Sequence, residues 1–172
     1  MKEKIDVLEH ATEILQALQS GVLLVTKDGA KVNAMTISWG ALGIDWRHPV
    51  FKTFVRESRF TRGLLDKTGV FNIAVGTGEQ AKQVLGVCGS KSGRDLDKIK
   101  ECGLTLEDSE VTGVPAIREF PLTLECRVVY KQQKDPMAMT KENREQFYPE
   151  KDGKCDNHIL YVGEIDAAYR VK

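Results

Sequence analysis

The sequence predicts a mainly β domain, an antiparallel barrel decorated with short helices. Three observations lead there. Runs of β-branched and aromatic residues outnumber amphipathic helical stripes along the 172 residues. Glycines and turn-forming pairs punctuate those runs at hairpin distances. Strands and helices never alternate in the regular order that a doubly wound parallel sheet requires. The length predicts a single domain, 1–172, able to bury its own core without disulfides or metals.

The first predicted element is a helix over about residues 3–19, from the stripe Ile5, Leu8, Ala11, Ile14, Leu15 and Leu18. A hairpin follows, Gly21 to Thr26 and Lys31 to Trp39, with Asp28-Gly29 supplying the turn. Pro49 opens a strand from Val50 to Arg56. Ser58 is a candidate N-cap for a short helix that stops near Gly69. Val70 to Val75 reads as a strand, Glu79 to Val87 as a helix, and Asp95 to Cys102 as a shorter helix closed by Gly103. Two late strands, Leu122 to Lys131 and Ile159 to Val171, flank a polar insert over about 131–157. Within it Thr140, Asn143 and Arg144 predict a brief helix, and Lys151-Asp152-Gly153-Lys154 a turn.

Charge narrows the function classes. Twenty-five Lys+Arg balance 25 Asp+Glu, which excludes a protein that works by bulk attraction to nucleic acid or anionic membrane. No apolar run is long enough for a signal peptide or a membrane span. Cys88, Cys102, Cys126 and Cys155 form no CxxC pair and no zinc spacing. Free thiols and a cytoplasmic location are therefore expected. Without a Cys/His cluster or HExxH no metal site is expected, and without Gly-x-Ser-x-Gly no hydrolase elbow. Cys88, approached by Val84, Leu85 and Val87, reads as a buried structural thiol.

Three segments carry chemistry. Val55-Arg56-Glu57-Ser58-Arg59-Phe60-Thr61-Arg62 places three arginines and two hydroxyls where a strand gives way to a helix. Arginine forks and unpaired helical N–H groups suit a phosphate; the alternative is a solvated loop. Gly89-Ser90-Lys91-Ser92-Gly93-Arg94, before Lys98, again combines small residues, hydroxyls and bases. It lacks the order of a P-loop, and its alternative is an exposed turn with Ser92 or Asp95 capping the next helix. In Asn33-Ala34-Met35-Thr36-Ile37-Ser38-Trp39, the amide, Met35, Ile37 and Trp39 alternate with Ala34, Thr36 and Ser38. Such a strand can hold a flat heteroaromatic ring, or Met35 and Trp39 can simply be core. A GxGxxA run, Gly76-Thr77-Gly78-Glu79-Gln80-Ala81, follows a strand, but the acid at the expected distance, Asp97, lies in a predicted helix. A dinucleotide fold is rejected on that ground.

In their order these segments, together with Trp46-Arg47-His48-Pro49, Gly69-Val70-Phe71-Asn72-Ile73-Ala74 and Tyr161-Val162-Gly163-Glu164-Ile165, resemble the flavin reductase-like family. The similarity runs from about Gly21 to Ile165 and is closest to the flavoredoxin-type FMN-binding proteins. It implies a split β-barrel, non-covalent FMN, NADH or NADPH as electron donor, and a homodimer with the flavin near the interface. By position it implies that Asn33, Met35, Thr36, Ser38 and Trp39 line the ring and ribityl region, and that Arg56, Ser58 and Thr61 hold the phosphate. Lys98 becomes a further contact, Ser92, Gly93 and Arg94 a loop closing over the cofactor, and His158 a histidine near the flavin. Electrons would pass from the nicotinamide through FMN to an acceptor, or, in a flavoredoxin-like alternative, without nicotinamide oxidation. Neither route requires a catalytic side chain.

Overall fold

The computed structural model describes all 172 residues. The chain opens with β1 (Lys2–Lys4), α1 (Ala11–Ser20), and the hairpin of β2 (Val22–Asp28) and β3 (Lys31–Ile37). A second hairpin, β4 (Gly40–Asp45) and β5 (His48–Arg56), leads into α2 (Phe60–Thr68), β6 (Val70–Val75), α3 (Gly78–Ser90) and the single turn α4 (Lys98–Glu101). The small ladder β7 (Leu106–Glu107) and β8 (Ala116–Ile117) precedes β9 (Leu122–Gln133). Then come a 3-10 turn at Pro136–Ala138, α5 (Lys141–Phe147) and β10 (His158–Val171). No helix is long and apolar enough to cross a membrane.

The main sheet runs β3-β2-β6-β9-β10-β5-β4, with β1 added to β10, and every pairing is antiparallel. The mainly β expectation holds. β10 slips register against β9 at Val162/Gly163 and Ile165/Ala167, and such irregularities bend a strand and let a sheet curl. Gly163 is needed at the first bend, because a Cβ there would lie 2.5 Å from Phe71 Cζ. The curled sheet encloses one core, including Leu24, Met35, Phe51, Phe71, Leu124 and Tyr161. Leu23, Val25 and Ala34 point the other way and pack with Val84, Leu85 and Cys88 of α3. β2 and β3 are therefore covered on both faces, which explains the near-continuous apolar run Val22–Val25. β3 comes close to β5 without a ladder between them. The barrel is split along this seam.

Several elements depart from expectation. The predicted helix over 3–19 begins only at Ala11, because residues 2–4 pair with Tyr169–Val171 and extend the sheet instead. Hairpin pairing of Asp28 with Lys31 makes Gly29-Ala30 the two-residue loop, with Gly29 at φ 58 and Asp28 closing the strand. β4 carries no strand signal in the sequence. Its turn is Trp46-Arg47, both at positive φ (46 and 67) without glycine or asparagine to signal it. Ser58 does not cap α2; the N-cap is Arg59, and no side chain caps it. The helix expected over 95–102 is confined to α4, capped by Asp97, whose carboxylate accepts from the N–H groups of Ile99 and Lys100. In the insert, Thr140 caps α5, and Asp152 and Gly153 form the expected turn at φ 52 and 72.

Candidate functional site

The seam between β3 and β5 opens into two cavities that share Met35, Arg56 and Arg59. The first, about 290 Å³, lies between the end of β5, the start of α2 and the loop after α3. Arg56, Arg59, Lys91, Arg94 and Lys98 line it, against one carboxylate, Asp156. The second, about 230 Å³, is bounded by Thr36, Ile37, Ser38, Trp39, Phe54 and His158. One compartment is cationic and the other is rimmed by aromatic rings.

The cationic compartment is built from groups held by backbone carbonyls. Arg59 Nη1 donates to the Gly89 carbonyl at 3.1 Å, and Arg94 Nη1 to the Ser58 carbonyl at 3.2 Å. Lys98, 4% exposed, donates to the carbonyls of Cys88 (3.2 Å) and Lys91 (3.3 Å) and has no carboxylate within 4.0 Å. An ammonium carries three protons, so one is left for the cavity. Burial first, and then the charge of Arg59, pull the Lys98 pKa below its ordinary value. Buried Thr61 accepts from Asn33 Nδ2 at 2.9 Å and keeps its own proton uncommitted. With no side-chain cap on α2, the N–H groups of Phe60 and Thr61 are also available, that of Arg62 being taken by the Arg59 carbonyl at 3.1 Å. Buried cation, free hydroxyl and open helix end form a donor set suited to a dianion.

Gly93 brings the loop onto this floor. A Cβ there would overlap Asn33 Oδ1 and stand 2.9 Å from Phe60 Cδ1, so only glycine allows the approach. Asn33 lines neither compartment; it stands behind Thr61 as a support. Thr36 lines the second one, but its hydroxyl donates to the Leu85 carbonyl at 2.6 Å. Arg62 turns away to pair with Asp66 at 2.9 Å. Met35, Arg56, Ser58, Thr61, Ser92, Gly93, Arg94 and Lys98 do meet in the first compartment, and Ser38, Trp39 and His158 meet in the second.

The insert supplies what no motif announced. Arg56 donates to the carbonyls of Asp156 (2.7 Å) and Phe147 (3.0 Å), so its guanidinium ties β5 to the insert. Asp156 accepts from Ser58 N–H (3.0 Å) and Ser58 Oγ (2.6 Å). Phe147 stands edge-on to Trp39 at 5.2 Å, and Trp39 lies 4.9 Å from His158. Tyr148 Oη is 2.8 Å from His158 Nδ1. Burial, reinforced by Arg56 and Lys134, pushes the His158 pKa down to about 4, so the ring is neutral at physiological pH. By contrast the Cys88 thiol lies in the core, its pKa pushed up to about 12 by burial, and only the Cys88 carbonyl, which holds Lys98, serves the site.

A family model described as flavin reductase like domain matches residues 15–172. An uncharacterized protein of Archaeoglobus fulgidus is 30% identical over 142 residues, covering 83% of this chain and 67% of that protein. The fold is similar to that of flavoredoxin from Methanosarcina acetivorans, with TM-score 0.68 and 25% identity over 88% of this chain and 68% of that one. It is also similar to an FMN-binding domain of a flavin reductases-like enzyme from Shewanella baltica, with TM-score 0.69 and 20% identity over 99% of this chain and 77% of that one. The chain spans about two thirds of the length of the first two proteins.

Proposed function

The chain belongs to the flavin reductase-like domain family, and from that premise we propose that it binds FMN non-covalently and acts as an NAD(P)H-dependent oxidoreductase. The observation that carries this reading is the pairing of a compartment with five cations against one carboxylate and a compartment rimmed by Trp39, Phe54 and His158. A single phosphate at one end and a flat ring at the other match that division. Lys98, Arg59, Arg94, Thr61 and the α2 N-terminus would hold the phosphate, with Ser92 and Gly93 closing over it. Met35, Thr36, Ser38 and Trp39 would border the ring, and Asn33 would brace Thr61. Bound FMN would supply the redox chemistry, taking electrons from a nicotinamide and passing them to an acceptor. The chain's own residues bind, orient and shield, and none is assigned as acid or base.

Anaerobic mixing of the FMN-loaded protein with NADH and with NADPH tests the enzymatic part. Bleaching of the flavin bands by at least one of them is expected. The similarity to a flavoredoxin at 25% identity favours a second reading, FMN-bound electron transfer without nicotinamide oxidation. Flavin bands that persist with both nucleotides but bleach with dithionite would select it.

Arg56 matters to this reading in a way that local sequence does not reveal. Arg56→Ala removes both carbonyl contacts to the insert and is expected to weaken FMN binding on the order of 1.5–3 kcal/mol. Unchanged affinity by fluorescence titration would show that the tie between Arg56 and the insert does not support the site. A homodimer also belongs to the proposal. Ile44 and Trp46 on the outermost strand and its turn, with Val129 and Tyr130, form an exposed apolar surface, the Trp46 and Tyr130 rings 6.5 Å apart. A monomeric mass by light scattering would refute it. The four unpaired thiols suit a reducing cytoplasm.

A further inference from the structure

We propose that Tyr148 is a positioning residue that holds His158 in the Nε2–H tautomer, so that the imidazole donates a hydrogen bond to an acceptor atom of the molecule lodged against Trp39. This rests on the reading of the second compartment as the ring site. The Tyr148 hydroxyl and His158 Nδ1 are 2.8 Å apart, and both residues are buried, at 4% and 7% exposure. His158 Nδ1 is the one protein group within hydrogen-bond reach of that hydroxyl. A phenol is the better donor of the two, since its oxygen lone pair is drawn into the ring, whereas an unprotonated imidazole nitrogen is a strong acceptor. The bond therefore forms from Oη–H to Nδ1. The partner of one ring nitrogen fixes the state of the other, which places the proton on Nε2.

The surroundings lock this arrangement. Trp39 packs against the imidazole at 4.9 Å, and the Tyr148 ring meets it edge-on at 5.5 Å. The Arg56 guanidinium lies 5.5 Å from the Tyr148 ring centre while gripping the Phe147 carbonyl. Tyr148 thus packs against both the imidazole and the guanidinium that ties the insert to β5. His158 itself lines the aromatic compartment. A neutral donor there favours a carbonyl oxygen or an unprotonated ring nitrogen and disfavours a cation. Such an acceptor is offered both by an isoalloxazine edge and by a carbonyl-bearing second substrate.

The test uses the full chain labelled with 15N in its histidine rings, the His158 signals being assigned by their loss in His158→Gln. In the ligand-free wild type, His158 is expected to show a protonated Nε2 and an unprotonated Nδ1. Tyr148→Phe keeps the ring and removes the hydroxyl, and is expected to give a mixture of tautomers. A protonated Nδ1 in the wild type, or an unchanged pattern in Tyr148→Phe, overturns the proposal. Neither result depends on whether FMN binds, so failure here is separate from failure of the flavin reading. FMN titration and steady-state kinetics then locate the acceptor. About tenfold weaker FMN binding in Tyr148→Phe places it on the cofactor, and about tenfold higher KM at unchanged FMN affinity places it on the second substrate. Glutamine, whose amide reaches the Nε2 position, should restore most of what His158→Ala loses; equal behaviour of wild type, His158→Ala and Tyr148→Phe in both assays overturns the donor role.

Discussion

Lys98→Met is expected to lower FMN affinity by roughly 10- to 100-fold while making the ligand-free protein more stable. The opposite signs come from one fact. Lys98 is buried with only carbonyl partners and no carboxylate, so the free protein carries an unneutralised charge in its interior. In the proposed complex the dianionic phosphate of FMN would compensate that charge, and losing a charge-assisted contact costs about 1.5–3 kcal/mol of binding. Methionine keeps an unbranched apolar stem and removes the buried charge, which should stabilise the ligand-free state on the order of 1 kcal/mol. The pH dependence has a definite sign. The folded-state pKa lies below 10.5 because burial opposes the charge. The penalty is therefore full below that folded value and is relieved as pH rises through it toward 10.5. Thermal melts of wild type and Lys98→Met should converge over that alkaline range. A variant that loses stability and keeps its affinity for FMN would show that Lys98 is an ordinary structural lysine.

Glu125→Ala is expected to cost on the order of 3 kcal/mol of stability, read from a denaturant midpoint. Glu125 is fully buried on β9. Its carboxylate accepts from the N–H groups of Glu110 (2.6 Å), Val111 (2.8 Å) and Thr112 (2.8 Å), from Thr112 Oγ1 (3.1 Å) and from Tyr169 Oη (2.6 Å). Removing it strands four donors, the Thr112 hydroxyl keeping Asn72 Oδ1 as an acceptor at 3.1 Å, and frees the loop between β7 and β8. Burial alone would raise its pKa, but the Tyr169 hydroxyl and the three N–H groups outweigh it and hold the group below 4.5. The contribution is thus present above about pH 4.5 and lost as pH falls through the lower folded value. The acid limb of the stability curve should be shallower in Glu125→Gln than in wild type. An unaltered limb would remove Glu125 from the account.

These two residues also show what a linear sequence can and cannot reveal. Gly29 and Gly69 announced their turn and helix stop because positive φ is a local requirement that glycine meets, and both are in that region, at 58 and 67. The hairpin Trp46-Arg47 needs the same backbone and carries no glycine, so β4 left no mark. Ser58 looked like a helix cap because caps are local, yet Asp156, 98 residues away, takes both its N–H and its hydroxyl. The cationic loops are legible because bases and hydroxyls crowd into two short stretches, Arg56 to Arg62 and Ser90 to Lys98. Phe147, Tyr148 and Asp156 were not, since they reach the site only when the insert folds back across β5. Glu125 sits between Leu124 and Cys126 in a strand whose alternation says nothing about a loop descending on its polar face.

Comparing FMN with riboflavin separates the proposed phosphate compartment of the seam from its proposed ring compartment. Both ligands present the same ring, and only FMN presents the phosphate. Fluorescence titration of the ligand-free protein should show FMN binding at least about 100-fold more tightly than riboflavin, with that ratio reduced roughly 10- to 100-fold in Lys98→Met. Equal affinities for the two, or no binding of either, would contradict the account.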